Sequence, residues 1–110
     1  MQEGIYHVHF STSIGGEGEG IVVIKLGAIN GGDAGYLYIG NMAELGGKLS
    51  GHLQISLWNP GHVSVFGPLQ KFDLELNGES SQSGFIVTGG TSSMPGVNIT
   101  INGRYLATAA

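Results

Sequence analysis

The sequence predicts an all-β protein, a small eight-stranded antiparallel up-and-down barrel with at most one short helical turn. Three observations carry this expectation. The chain holds 21 glycines in 110 residues, and they separate short runs in which apolar and polar residues alternate, the pattern of strands joined by tight turns. Turn signals recur about every 8–12 residues, the spacing of a sandwich or barrel. No stretch of normal helix length repeats its apolar residues with a helical period. Closure is the natural solution for such strands, because a closed barrel leaves no unpaired edge.

Taken in order, Gly4 to Phe10 sets Tyr6, Val8 and Phe10 against Ile5, His7 and His9. Gly20 to Leu26 follows, then a short candidate, Gly27 to Asn30, closed by Gly31-Gly32-Asp33. Gly35 to Gly40 is next. Asn41 to Leu45 is the one place for a helical turn, with Asn41 as N-cap and Gly46-Gly47 as the stop. Lys48 to Trp58 alternates most clearly, with Leu49, Gly51, Leu53, Ile55 and Leu57 on one face. Asn59-Pro60-Gly61 is a turn. His62 to Phe66 gives a weaker strand, ended by Gly67-Pro68. Gln70 to Leu76 alternates Phe72, Leu74 and Leu76 against Lys71, Asp73 and Glu75, and Asn77-Gly78 opens the next turn. Gly84 to Thr88 and a last strand from Val97 to about Leu106 complete the series, with Ala107 to Ala110 a loose tail.

Length makes this one domain, residues 1–110, large enough for a single core. With no cysteine, neither disulfides nor thiolate chemistry enter. No apolar run follows Met1 and no segment is long enough to span a bilayer, so cytoplasmic residence is expected. The formal net charge is −4, and the four fixed cations, Lys25, Lys48, Lys71 and Arg104, are scattered rather than clustered. A nucleic-acid groove needs a basic face, so direct DNA or RNA binding is not expected. A charged fraction of 11% leaves solubility to Ser, Thr, Asn and Gly, which favours oligomers.

Two strands break the alternation. Ile21-Val22-Val23-Ile24 is apolar on both faces, and Tyr36 and Tyr38 back onto Leu37 and Ile39. An apolar outer barrel face calls for a cover, so Ile21, Val23, Leu37 and Ile39 are the expected homodimer interface. Trp58 falls on a polar face, either as an interface anchor or turned inward by a bulge before Pro60.

The chemistry-bearing patterns are weak. His7 and His9 share a strand face at a spacing suited to one metal ion, with His52 as a third ligand. The nearest downstream acids, Glu17 and Glu19, sit in a glycine turn, so a solvent-facing pair is expected and no metal site. Gly15 to Gly20 lacks the Lys-Ser/Thr of a phosphate loop and carries acids, so it reads as a hairpin turn. No nucleophile–base–orienter set can be named, and neither enzyme activity nor a cofactor is expected.

In sequence order, Gly4-Ile5-Tyr6, Gly18-Glu19-Gly20-Ile21, Gly31-Gly32-Asp33 and Tyr38-x-Gly40 resemble the GrlR-like family of negative regulators of type III secretion, best over residues 4–40. The resemblance implies a lipocalin-like, cytoplasmic, dimeric barrel. It also implies repression by binding a transcriptional activator protein, partly through an acidic loop after the Tyr-x-Gly segment. The matching stretch is Asn41 to Gly47, where Glu44 is the only acid. Met42, Glu44 and Leu45 are the expected partner-binding loop, although Met42 and Leu45 could instead tuck onto the barrel end.

Two functions are carried forward. One is a non-enzymatic regulatory module that sequesters a protein partner, a transcriptional regulator in the family's manner. The alternative is a carrier or sensor of a small apolar ligand, held among Tyr6, Val8, Leu53, Phe72, Phe85 and Ile99.

Overall fold

A computed structural model describes residues 1–110. It contains eight strands and no helix: β1 Gly4–Thr12, β2 Glu17–Lys25, β3 Ala28–Gly32, β4 Tyr36–Leu45, β5 Lys48–Leu57, β6 Lys71–Ser80, β7 Gly84–Gly90 and β8 Asn98–Ala107. Each strand pairs antiparallel with its neighbour, and β8 returns to β1, closing an up-and-down barrel. The β2–β3, β4–β5 and β6–β7 turns therefore share one end with both termini. The β1–β2, β3–β4, β5–β6 and β7–β8 connections share the other.

The alternation read from the sequence sets the inner face. Leu49, Leu53 and Ile55 of β5 lie beside Phe72, Leu74 and Leu76 of the adjacent β6 on the inner wall, and each is at most 7% exposed. Nineteen buried residues form one continuous core. Several interior glycines seat a neighbour's ring. Gly18 pairs directly with Phe10, and a Cβ there would lie 2.6 Å from that ring. Glycines facing aromatic rings let a small barrel turn tightly around bulky side chains.

Five expectations need correction. Gly15 to Gly20 is turn only as far as Gly16, because β2 begins at Glu17 and its pairing with β1 includes Ser11↔Glu17 and His9↔Glu19. Asn41 to Leu45 is neither a helical turn nor a loop. The inward series Tyr36, Tyr38, Gly40, Met42 runs on, and the ladder to β5 continues to Leu45↔Lys48, so cross-strand pairing outweighs one weak N-cap. His62 to Phe66 is not a strand. It belongs to the long β5–β6 connection, held by reciprocal Ser64 and Gly67 backbone bonds, and it plugs the barrel end with Phe66, 2% exposed. Asn77-Gly78 is not a turn, because β6 pairs with β7 as far as Ser80↔Phe85. Gly31-Gly32 likewise belongs to β3, and the turn begins at Asp33.

Candidate functional site

Three features of the barrel are candidate contact regions: its interior, the outer face of β2–β4, and the end that carries the β2–β3 and β4–β5 hairpins.

The interior encloses a cavity of about 270 Å³. Val8, Leu53, Phe72, Phe85 and Ile99 line it, as the alternation predicts. Tyr6 does not. It lies toward the terminal end, 1% exposed, packed between Phe85 and Tyr105, with its hydroxyl donated to the Gln2 carbonyl. Tyr6 is the first core residue after Gly4, so its position near the strand's start keeps it away from the cavity. The other end of the barrel forms the mouth, bounded by the Asp33–Gly35 turn and the His62–Phe66 segment.

Asp33 organises this mouth. Its Oδ1 accepts the Gly35 and Tyr36 N–H groups at 2.8 and 2.7 Å, so the carboxylate shapes the β3–β4 turn itself. Its Oδ2 accepts the Tyr38 hydroxyl. Burial pushes the Tyr38 phenol far above its ordinary value, and the hydrogen bond to Asp33 and its charge push the same way. The adjoining segment is tied on by backbone carbonyls. Trp58 donates its indole N–H to Asp33 O at 3.1 Å, and Asn59 donates to Ala34 O at 2.9 Å. Trp58 is thus neither inward nor a free anchor; half exposed, it clamps the β3–β4 turn. Sequence reasoning missed Asp33, Tyr38 and Phe66 as parts of this site. The Asx pattern of Asp33 two residues before Gly35 was the available signal for the first; nothing local marks Phe66.

On the outer face, Ile21, Leu37 and Ile39 are 44%, 43% and 52% exposed, and Val23 is half-buried. The register sets them in two rows: Ile21 and Leu37 flank Gly32, and Val23 and Ile39 flank Asn30. The structure therefore brings together four residues that lie on two strands separated by a third. Gly32 leaves its row without a side chain between the two flanking residues.

At the terminal end, Leu45 is 85% exposed. Met42 is 7% exposed and lines the cavity, so it is no surface anchor, because the strand continues through it with inward parity. Glu44 bonds the Met1 amino group and the Ser80 hydroxyl, and these partners hold its carboxyl below the usual range. On the same end stands Leu26, 87% exposed and in the left-handed region at φ 53°. With Gly27 at φ 81° it makes the two-residue β2–β3 turn, in which Asn, Asp or Gly is the usual first residue. The Leu26-Gly27 pair in the sequence was the signal, hidden because a leucine is not read as a turn residue.

His7 and His9 face outward, next to Glu19 and Glu17 at 2.9 and 3.1 Å, and His52 lies across the barrel near Asp73. No group of three or more His, Asp or Glu side chains is placed to hold a metal ion. No helix is long and apolar enough to cross a membrane.

No curated protein matches the chain. The family model described as the T3SS negative regulator GrlR matches residues 1–109, and with the closed eight-stranded barrel already in place, the chain belongs to the GrlR family of type III secretion negative regulators.

Proposed function

We propose that this barrel is a non-enzymatic, cytoplasmic regulator that works as a homodimer and sequesters a protein partner. Family membership supports a regulatory role. The observation that carries the binding mode is the pair of exposed leucines, Leu26 and Leu45, on the end that also carries Glu44. Leu26 keeps an apolar side chain in a backbone conformation that disfavours it, a local cost that makes sense when the side chain has a binding task. Glu44, which precedes Leu45, is the one acid in the stretch matching the family's acidic loop. The partner is thus met by apolar contact at Leu26 and Leu45. The rows Ile21–Leu37 and Val23–Ile39 supply the self-association face, an apolar area on an outer sheet that dimerisation covers.

Native mass spectrometry on protein gently isolated from its own organism tests this reading. The expected species is a dimer with a second protein at fixed stoichiometry, and Leu45→Ser should lose that protein while the dimer persists. A partner retained in full by Leu45→Ser, or a bare barrel with no partner, would overturn the sequestration mode.

A further inference from the structure

The barrel interior offers a second binding function, carried by the cavity rather than by the outer surfaces. Folded interiors pack like organic crystals, with few voids larger than a water molecule. A 270 Å³ space whose walls are mainly apolar, with its polar groups gathered toward the mouth, is an exception. Its inner part is too apolar to suit ordered water, which needs two to four polar partners. An apolar cavity of about 150 Å³ accepts a six-carbon ring. In proportion, this one takes about eleven heavy atoms, fewer than a drug-sized ligand.

Charge narrows the class. No Lys or Arg lines the cavity, whereas Glu17, Glu19 and Asp33 stand around its mouth, and His62 is the only basic side chain there. Glu17 and Glu19 direct their carboxylates outward onto His9 and His7, which leaves Asp33 as the carboxylate nearest the entrance. Asp33 accepts three hydrogen bonds, from Gly35, Tyr36 and Tyr38, and a carboxylate has about four acceptor positions. The Tyr38 hydroxyl, already donating to Asp33, keeps acceptor capacity of its own. The polar end of the cavity therefore presents acceptors and negative charge, so it welcomes a donor and repels a carboxylate.

We propose that the barrel binds a small apolar molecule of non-anionic character, a chain or ring that fills the interior and ends in a hydroxyl or amine donated to Asp33 and Tyr38 at the mouth. This function goes beyond the regulatory reading and does not rest on it.

Three eight-carbon probes that differ only in the head group test it: octan-1-ol, octylamine and octanoate. Each is titrated into the intact protein while methyl NMR follows the inward side chains Leu53, Leu74 and Ile101 and the outward Ile21 and Ile39. The expected result is saturable shifts of the inward methyls with the alcohol and the amine, and binding of octanoate at least tenfold weaker. In Asp33→Asn, whose fold the same spectra check, that discrimination should shrink severalfold. If this variant does not fold, the wild-type head-group series still decides. No saturable inward shift with any probe, shifts confined to Ile21 and Ile39, or octanoate binding as tightly as the alcohol would each overturn the proposal.

Discussion

The Phe85 ring lies directly over Gly103, its cross-strand partner between β7 and β8, so closely that a Cβ on Gly103 would sit 2.1 Å from the ring edge. Phe85 is 7% exposed and also touches Tyr6, with ring centroids 5.5 Å apart, so it can retreat only toward the cavity it lines, at the cost of its packing on Tyr6. Gly103→Ala should therefore overpack the barrel and cost about 1–3 kcal/mol. Chemical denaturation checks this. Combining it with Phe85→Leu should give less than the sum of the single losses, because the two changes share one contact.

Met42 and Leu45, three residues apart on β4, should respond in opposite ways. Met42→Ala removes a buried side chain from the core and should cost about 2–5 kcal/mol. Leu45→Ser alters a side chain that is 85% exposed and should leave stability within about 0.5 kcal/mol. Equal losses in urea melts would mean that the terminal end of β4 does not have the register described above.

These two residues show what was legible in the sequence. The period-2 pattern gave β1 to β8 their faces, and through them five of the six expected cavity residues, because a strand's alternation dictates the inside of a barrel without further information. The exposure of Ile21, Leu37 and Ile39 was legible for the same reason, since an apolar residue of outward parity stands out against a polar face. What failed was local. Asn41 and Gly78 look like end signals, yet each lies within a ladder whose pairing is set by a distant strand. The cavity mouth was illegible because it is assembled from Asp33 and the His62–Phe66 plug, brought together by backbone hydrogen bonds across the β5–β6 connection and not by any pattern within one segment.

Tyr38 makes stability fall in alkali. Its phenol is held above the ordinary value near 10 by burial, and then by the hydrogen bond and charge of Asp33. In the unfolded chain it ionises near pH 10, whereas in the barrel it keeps its proton. Above pH 10 the unfolded state thus binds fewer protons, and stability declines with rising pH; below pH 10 this contribution is fully present and flat. Tyr38→Phe should cost about 1.5–3 kcal/mol at neutral pH, as a hydrogen bond to a charged group is lost. It should also make the decline above pH 10 shallower. Some decline remains, because burial also raises Tyr6 and Tyr36. Urea midpoints from pH 7 to 11.5 on both proteins decide it, and parallel curves would sink the assignment.

Leu26 should show a trade between stability and binding. At φ 53° a leucine occupies a conformation that Asn or Gly adopts more readily. Leu26→Asn should stabilise the barrel by about 0.5–1 kcal/mol through a better first position in the β2–β3 turn. It should at the same time weaken capture of the protein partner. A variant that gains stability and binds as well as the parent would show that the exposed leucine has no part in recognition.

The outer face of β2–β4 gives the last prediction. Ile39 is 52% exposed, beside Asn30 and one row from Leu37, so a charge there is well hydrated in an isolated barrel but is buried against its own copy in a two-fold interface. Ile39→Lys should leave the melting temperature of the barrel close to that of the parent at dilutions where both are monomeric, yet weaken the dimer at least tenfold. Sedimentation equilibrium across micromolar concentrations separates the outcomes. A parent that stays monomeric throughout would overturn the homodimer, whereas a dimer indifferent to Ile39→Lys would place self-association elsewhere. The exposed Ile86 on β7 and Leu106 on β8 would then be the next side chains to change.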